Sequence, residues 1–154
     1  MNKNISQTLK FMKAALKEAN KAAMRNEVPV GAVLTDQSGK ILSKNGNRVR
    51  EMRDPTAHAE LLVLRDAAKK LNSDKLVNCS IYTTLEPCVM CAMAISLSRV
   101  KNLYYGALDS KKGAIDNGLK IYSSSSCQHK PEVFSGFYEK ESGQILKTFF
   151  KDKR

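Results

Sequence analysis

Residues 80–97 read SIYTTLEPCVMCAMAISL, and this stretch predicts a strand that leads directly into a helix. Its first part, Ser80 to Thr84, is rich in the β-branched and aromatic residues that strands favour. Pro87 suits the first turn of a helix. The residues from Val89 to Leu97 are apolar nearly all round, so we expect this helix to be buried. A pair of cysteines therefore lies at the start of a buried helix that follows a strand.

Strands and helices alternate along the rest of the chain. Apolar spacing and turn residues predict a helix over residues 4–25, strands over 30–34 and 41–43, a helix that opens at Asp54-Pro55-Thr56, a strand over 100–106, a short strand near Val133 and a final helix from about Glu139. This alternation predicts an α/β layered domain. The chain has 154 residues and no linker or internal repeat, so residues 1–154 fit a single domain. In the final helix we expect one ring of Phe149 and Phe150 to pack on the core, and the packing of both rings on the core is the alternative.

The cysteine pair and one histidine form a metal-binding pattern. Cys88 and Cys91 are three residues apart at a helix start, so both sulfur atoms lie on one face and can bind one ion. The positive end of the helix favours the thiolate form that a metal ligand must adopt. His58, at the start of another helix, can supply a third ligand. Three protein ligands leave one tetrahedral position for water, which is typical of catalytic zinc.

Glu60 follows the histidine by two residues and is predicted to act as the catalytic acid and base. The signature His-x-Glu followed by Pro-Cys-x-x-Cys is typical of the zinc base deaminases. Deamination needs one proton delivered to a ring nitrogen and another to the departing amine, and a carboxyl group beside the water can carry both.

Two other interpretations of the cysteines stay open at this point. A Cys-x-x-Cys pair at a helix start is also typical of thioredoxin-like redox proteins, although redox chemistry does not require His58-Ala59-Glu60. A structural zinc would need a fourth ligand, for which Cys79, Cys127 and His129 are candidates without a matching spacing. We expect Cys79 to pack at a strand edge and the other two to be incidental loop residues.

The chain is strongly basic, with 26 lysine and arginine residues against 15 acidic ones and a formal charge of +11. Such a surplus favours a polyanionic partner, nucleic acid first, although a basic surface kept for solubility is the alternative. Lys147, Lys151, Lys153 and Arg154 concentrate charge at the C-terminus. No apolar run approaches the length of a membrane span, and the N-terminus lacks the pattern of a secretory signal. We therefore expect a cytoplasmic protein without membrane contact.

Several further segments extend this pattern along the chain. They are Glu27-Val28-Pro29-Val30-Gly31-Ala32-Val33, Asn47-Arg48, Asp54-Pro55-Thr56-Ala57-His58-Ala59-Glu60, Thr84-Leu85-Glu86-Pro87-Cys88-Val89-Met90-Cys91, Gly106-Ala107, Asp109, Lys111, Gly113-Ala114 and Phe149-Phe150. With these segments the sequence resembles the bacterial tRNA-specific adenosine deaminases, which convert the wobble adenosine of the anticodon to inosine.

The resemblance implies a three-layer, cytidine deaminase-like α/β fold with a central mixed five-stranded sheet flanked by helices. It also implies one Zn2+ per subunit, a homodimer and a tRNA substrate, usually the anticodon loop of an arginine tRNA. Val28 and Pro29 are expected to wall the pocket, and Asn47 to form a hydrogen bond to the flipped base or its sugar. Asp109 and Lys111 are expected on the loop that cradles the anticodon. Asn47 as a turn residue and Asp109 as a cap after a strand are the alternatives.

Two other functions stay open. An enzyme acting on free guanine, cytosine or nucleosides would keep the same zinc ligands and Glu60, but the large positive charge argues against it. A non-catalytic RNA-binding subunit would not need Glu60.

Overall fold

The computed structural model describes residues 3–153. Arg154, which belongs to the predicted basic C-terminus, lies outside the described residues, and the single-domain boundary 1–154 stays a prediction. In chain order the elements are α1 (Lys3–Met24), β1 (Gly31–Thr35), β2 (Ile41–Gly46), α2 (Val49–Met52), α3 (Ala59–Leu71), β3 (Ser80–Leu85), α4 (Val89–Leu97), β4 (Asn102–Ala107), a 3-10 turn (Ile121–Ser123), β5 (Glu132–Ser135) and α5 (Glu139–Asp152).

The five strands form one mixed sheet in the order β2-β1-β3-β4-β5. β1 runs antiparallel to both β2 and β3, while β3, β4 and β5 run parallel. The predicted mixed five-stranded α/β sheet is therefore confirmed. Because β3 and β4 are parallel, their carboxyl ends meet at one edge of the sheet, and the chain enters α4 from that edge.

Helices cover both faces of the sheet. Val33 and Tyr82 pack with Phe11 and Met12 of α1 on one face. On the other face, strand residues such as Ile81 pack against α3 and α4 in the larger core cluster. Neighbouring strand residues point to opposite faces, so each strand contributes to both layers of core. No helix within residues 3–153 is long and apolar enough to span a bilayer.

The helix that follows the Asp54-Pro55-Thr56 segment begins later than the sequence predicts. α3 starts at Ala59, with His58 as its N-cap residue. The Asp54 carboxylate instead accepts hydrogen bonds from the backbone N–H (2.8 Å) and the hydroxyl (2.7 Å) of Thr56. The Asp54 side chain thus forms a local turn in place of the first helical turn, because short polar side chains can bind nearby backbone groups that a helix would otherwise use. His58 is thereby placed at the helix terminus.

Helix α4 is less buried than the sequence predicts. Val89 and Leu97 on α4 are 41% and 65% exposed, and Cys91, Ala92 and Ile95 form its buried side. Composition alone cannot say which side of an apolar helix lacks a neighbour. On α5 Leu146 packs against the core, whereas Phe149 is half-buried, and the packing of a phenyl ring on the core stays a prediction. The ring centroids of Phe149 and Phe150 lie 5.4 Å apart, and the Phe150 side chain is exposed.

Gly31 brings α1 unusually close to the sheet. A Cβ atom at this position would collide with the carbonyl oxygen of Ala15 and lie 2.5 Å from the backbone nitrogen of Ala19. Both obstacles are backbone atoms of the helix, so no side-chain rotation can relieve the clash. Gly143 in the middle of α5 is the opposite case, because a Cβ atom there would have nothing within 4 Å.

We expect Gly31→Ala to lower the free energy of unfolding by about 1–3 kcal/mol, because α1 must move away from β1. Gly143→Ala is the matched control, and it should raise stability by about 0.5–1 kcal/mol because alanine loses less backbone entropy in a helix. Urea unfolding followed by circular dichroism measures both changes. A Gly31→Ala protein as stable as the wild type would contradict the close approach of α1.

Candidate metal centre

Two helices begin next to each other at the carboxyl edge of β3 and β4. His58 is the N-cap residue of α3 and Cys88 is the N-cap residue of α4, and both have extended backbone conformations. Their carbonyl oxygens accept the first helical hydrogen bonds, from Leu62 (3.0 Å) and Ala92 (2.8 Å). Neither side chain caps its own helix, so both are available to other groups.

The structure brings the three predicted metal ligands together. His58 Nδ1 lies 3.7 Å from Cys88 Sγ and 3.6 Å from Cys91 Sγ, and the three ligand atoms lie within 4.8 Å of one another. A tetrahedral zinc with Zn–N of ~2.0 Å and Zn–S of ~2.3 Å requires an N···S separation of about 3.5 Å. The nitrogen and sulfur donors, and their spacing, therefore fit zinc.

The protein groups of this cluster shift one another's proton affinity. The hydrogen bond from Cys91, together with that from His58, lowers the pKa of Cys88 to about 4. Donation to Cys88 and burial raise the pKa of Cys91. The hydrogen bond with Cys88 raises the pKa of His58, while burial and the charge of Lys112 oppose this rise. Within this cluster the surroundings therefore favour the charged form of Cys88 most strongly.

Glu60 lies beside these ligands in the first turn of α3. Its side chain is only 4% exposed, and Oε2 accepts a hydrogen bond from Cys91 Sγ at 3.8 Å. Burial raises the pKa of this carboxyl group, because the charged form loses its hydration. A carboxyl group whose protonated form is favoured can hold a proton and deliver it to a neighbouring group.

Asn47 connects the end of β2 to the start of α3. Its side-chain Oδ1 accepts a hydrogen bond from the backbone N–H of Ala59 at 2.8 Å, and its own backbone N–H donates to the carbonyl oxygen of Val30 at 3.1 Å. Val28 is exposed and Pro29 is buried just before that contact. The roles of these residues in substrate binding stay predictions, and the structure adds that Asn47 supports the helix that carries Glu60.

Asp109 and Lys111 lie in the loop after β4. The Asp109 carboxylate accepts hydrogen bonds at 3.0 Å from the backbone N–H groups of Lys111 and Lys112, so it caps its own loop after the strand, which was the alternative interpretation of this residue. Both lysine side chains are exposed. A contact of this loop with RNA stays a prediction.

Glu27 and Glu86 are buried carboxylates whose hydrogen bonds the sequence patterns do not predict. Glu27 accepts hydrogen bonds from the backbone N–H groups of Arg50 (3.0 Å) and Glu51 (2.9 Å), which belong to α2. Glu86 binds the loop after β4. Both are 2% exposed. The available signal was a carboxylate set among apolar residues, at a strand entrance for Glu27 and a strand exit for Glu86.

The remaining cysteines lie apart from the cluster. Among the described residues, only His58, Cys88 and Cys91 form a group of three or more potential ligands. Cys79 is buried, as expected. Cys127 and His129 are not incidental, because Cys127 is buried beside Ser96, and His129 Nε2 lies 2.6 Å from the carbonyl oxygen of Val100. They hold the loop before β5 against the end of α4.

Comparison with known proteins agrees with this geometry. Residues 5–107 match the family described as the cytidine and deoxycytidylate deaminase zinc-binding region. A tRNA-specific adenosine deaminase of Agrobacterium fabrum is 49% identical over 94% of this chain and 94% of its own length. The enzyme of the same name from Aquifex aeolicus is 40% identical, again over 94% of both chains.

Solved structures of related proteins have the same fold as this chain. One from a study of A-to-I editing by tRNA:A34 deaminases at the wobble position of transfer RNA is 49% identical, with a TM-score of 0.87 over 88% of this chain and 98% of that chain. A guanine deaminase from Nitrosomonas europaea is 23% identical with a TM-score of 0.78, over 90% of this chain and 82% of that chain, and shares the fold. The chain therefore belongs to the family of the tRNA-specific adenosine deaminases and contains the zinc-binding region of the cytidine and deoxycytidylate deaminases.

Proposed function

We propose that this chain hydrolyses the wobble adenosine of a tRNA anticodon to inosine, with release of ammonia. The observation that carries the proposal is the cluster of His58, Cys88 and Cys91 with the buried carboxyl group of Glu60 beside it. The names and high identity of the relatives support tRNA as the substrate. An enzyme acting on free guanine has less support, because the guanine deaminase structures from Nitrosomonas europaea and Bacillus subtilis are 23% and 31% identical to this chain, against 49% for the structure from the study of tRNA:A34 deaminases.

His58, Cys88 and Cys91 would hold one zinc ion per subunit. When bound, zinc would supply an activated water molecule near neutral pH. Glu60 would deliver one proton to N1 of the adenine ring and a second proton to the departing amine at C6. Its burial favours this work, since the protonated carboxyl group is stabilised next to the cluster.

The target base must leave its stack to reach this site. Cys91 is fully buried and Glu60 nearly so, and such groups cannot approach an adenine inside a continuous helix. We propose that Val28 and Pro29 wall the base pocket and that Asn47 contacts the flipped nucleotide. Asp109 and Lys111 would contact the neighbouring nucleotides of the anticodon loop.

The distribution of charge supports an RNA partner. The formal charge is +11, and three of the lysines that contribute to it, Lys147, Lys151 and Lys153, are exposed in the C-terminal part of the chain. Lys153 donates a hydrogen bond to Asn26, which directly precedes Glu27 and the proposed pocket wall. These cations can therefore attract phosphates towards the pocket. We propose an arginine tRNA as the substrate and the cytoplasm as the location.

We also propose that the protein is a homodimer. Val89, Met93 and Leu97 are four residues apart on α4, so they form one stripe that the core does not cover. Exposed apolar stripes of this kind mark interaction surfaces. A second copy of the chain is the occupant that the family resemblance implies.

At the metal, Glu60→Gln should lower turnover about 10²–10⁴-fold, because the amide cannot transfer the protons. Its zinc content should stay at one ion per chain, since Glu60 is not a ligand. Cys88→Ala should lose the zinc, while Cys127→Ala serves as a control that keeps both zinc and activity. Elemental analysis and single-turnover assays measure these effects, and a zinc-free Glu60→Gln protein would contradict the assigned roles.

For the substrate, an anticodon hairpin with adenosine at the wobble position should be deaminated readily. Placing the same adenosine in a continuous duplex should slow turnover roughly a hundredfold, because unpairing and unstacking must precede reaction. Free adenosine, cytidine and guanine are the comparison substrates in a chromatographic assay of products. Faster turnover of free guanine than of the hairpin would favour the other enzyme class.

For the dimer, Leu97→Lys should convert dimer to monomer, because the charge would be buried in the interface. Leu71→Lys is the matched control, since Leu71 is an exposed leucine at the end of another helix. Sedimentation velocity distinguishes the two states. A Leu97→Lys protein that stays dimeric would exclude this stripe as the contact.

A further inference from the structure

Glu86 is a buried carboxylate whose partners all lie in one loop. Oε1 accepts hydrogen bonds from the backbone N–H of Asp109 (3.0 Å) and from the Asn117 side-chain amide (2.6 Å). Oε2 accepts three from the backbone N–H groups of Ile115 (3.0 Å), Asp116 (2.9 Å) and Asn117 (3.0 Å). Among these partners there is no cation. Five N–H donors from residues 109–117 therefore replace the water that this carboxylate loses by burial.

The same loop is fastened to the segment that carries the metal ligands. Cys88 and Gly113 form an isolated antiparallel bridge, and the N–H of Ala114 donates to the carbonyl oxygen of Pro87 at 3.0 Å. Gly113 lies so close that a Cβ atom would collide with the Glu86 carboxyl group and lie 2.5 Å from the Asp109 carbonyl oxygen. The loop is thus held both by the Glu86 side chain and by the backbone next to Cys88.

This loop also carries exposed charge at the edge of the sheet where the metal cluster lies. Lys111 and Lys112 are exposed, and their backbone N–H groups bind the Asp109 side chain. Asp109 itself is fixed by Glu86 through its own N–H. The position of both lysines relative to Cys88 consequently depends on the Glu86 carboxylate.

We propose that Glu86 is a positioning residue for RNA binding, which holds residues 109–117 in the orientation that meets the nucleotides beside the target adenosine. It acts through the loop and touches neither the reacting base nor the metal ligands. This role rests on the RNA deaminase function proposed above. Because the loop would contact flanking nucleotides equally before and during reaction, Glu86 governs KM and leaves kcat unchanged.

Glu86→Gln tests this role. The side chain keeps its shape, but its NH2 group faces backbone N–H donors, so the loop loses part of its anchor. With an anticodon hairpin as substrate, KM should rise roughly tenfold while kcat changes less than about twofold. Zinc content should equal that of the wild type. Glu86→Asp, which keeps the charge on a shorter side chain, should restore part of the loss.

Two further variants keep the result interpretable. Glu18→Gln is the control, because Glu18 is a buried carboxylate of α1 that pairs with Lys21, far from the loop in sequence and contacts; its KM should not change. Asn117→Ala removes one of the five hydrogen bonds and should raise KM by a smaller factor. If Glu86→Gln does not fold, the KM of Asn117→Ala tests whether Glu86 positions the loop.

Activity of the wild-type protein on the hairpin tests the proposed RNA function separately from the role of Glu86. If it fails to deaminate the hairpin, the proposed RNA function is wrong. If it deaminates the hairpin and the KM of both Glu86→Gln and Asn117→Ala equals the wild-type value, Glu86 does not position the loop. A loss confined to kcat or to zinc content would overturn the proposal in the same way.

Discussion

Two helices begin against each other at the carboxyl edge of β3 and β4, and the chemistry of the site depends on that contact. It brings His58, from one N-cap, to within 3.7 Å of Cys88, from the other. Both positive helix ends face the same small volume, which favours the thiolate and any anionic group that develops there. The parallel pairing of β3 with β4 makes this possible, because it directs the chain into α4 at the same edge where the loop after β4 begins.

Two buried glutamates near this edge show how strongly surroundings determine their chemistry. At Glu60 the side-chain partner is a weak thiol donor, and burial raises the pKa of the carboxyl group. At Glu86 burial also opposes the charge, but five N–H donors outweigh it and lower the pKa. The surroundings thus favour the protonated form of the same residue type in one place and its charged form in the other.

The sequence predicted the elements that depend on local spacing and missed those that depend on distant partners. The proximity of Cys88 and Cys91 was predictable because they are three residues apart at the start of one helix. The short α2 was missed because its first N–H groups are bound by Glu27, 23 and 24 residues away. Glu86 was missed as an anchor for the same reason, since its partners follow 23 to 31 residues later. The start of α3 was displaced because Asp54 forms its own turn.

The way Glu86 holds its loop has a consequence for divergence within this family. Four of its five hydrogen bonds come from main-chain N–H groups, which nearly every amino acid provides. Side chains such as those of Lys111, Lys112 and Asp116 take no part in the hold and are exposed. They can therefore be exchanged without moving the loop. A scaffold of this kind lets the exposed side chains of the loop diverge over evolutionary time while the geometry of the neighbouring His58, Cys88 and Cys91 cluster is inherited intact.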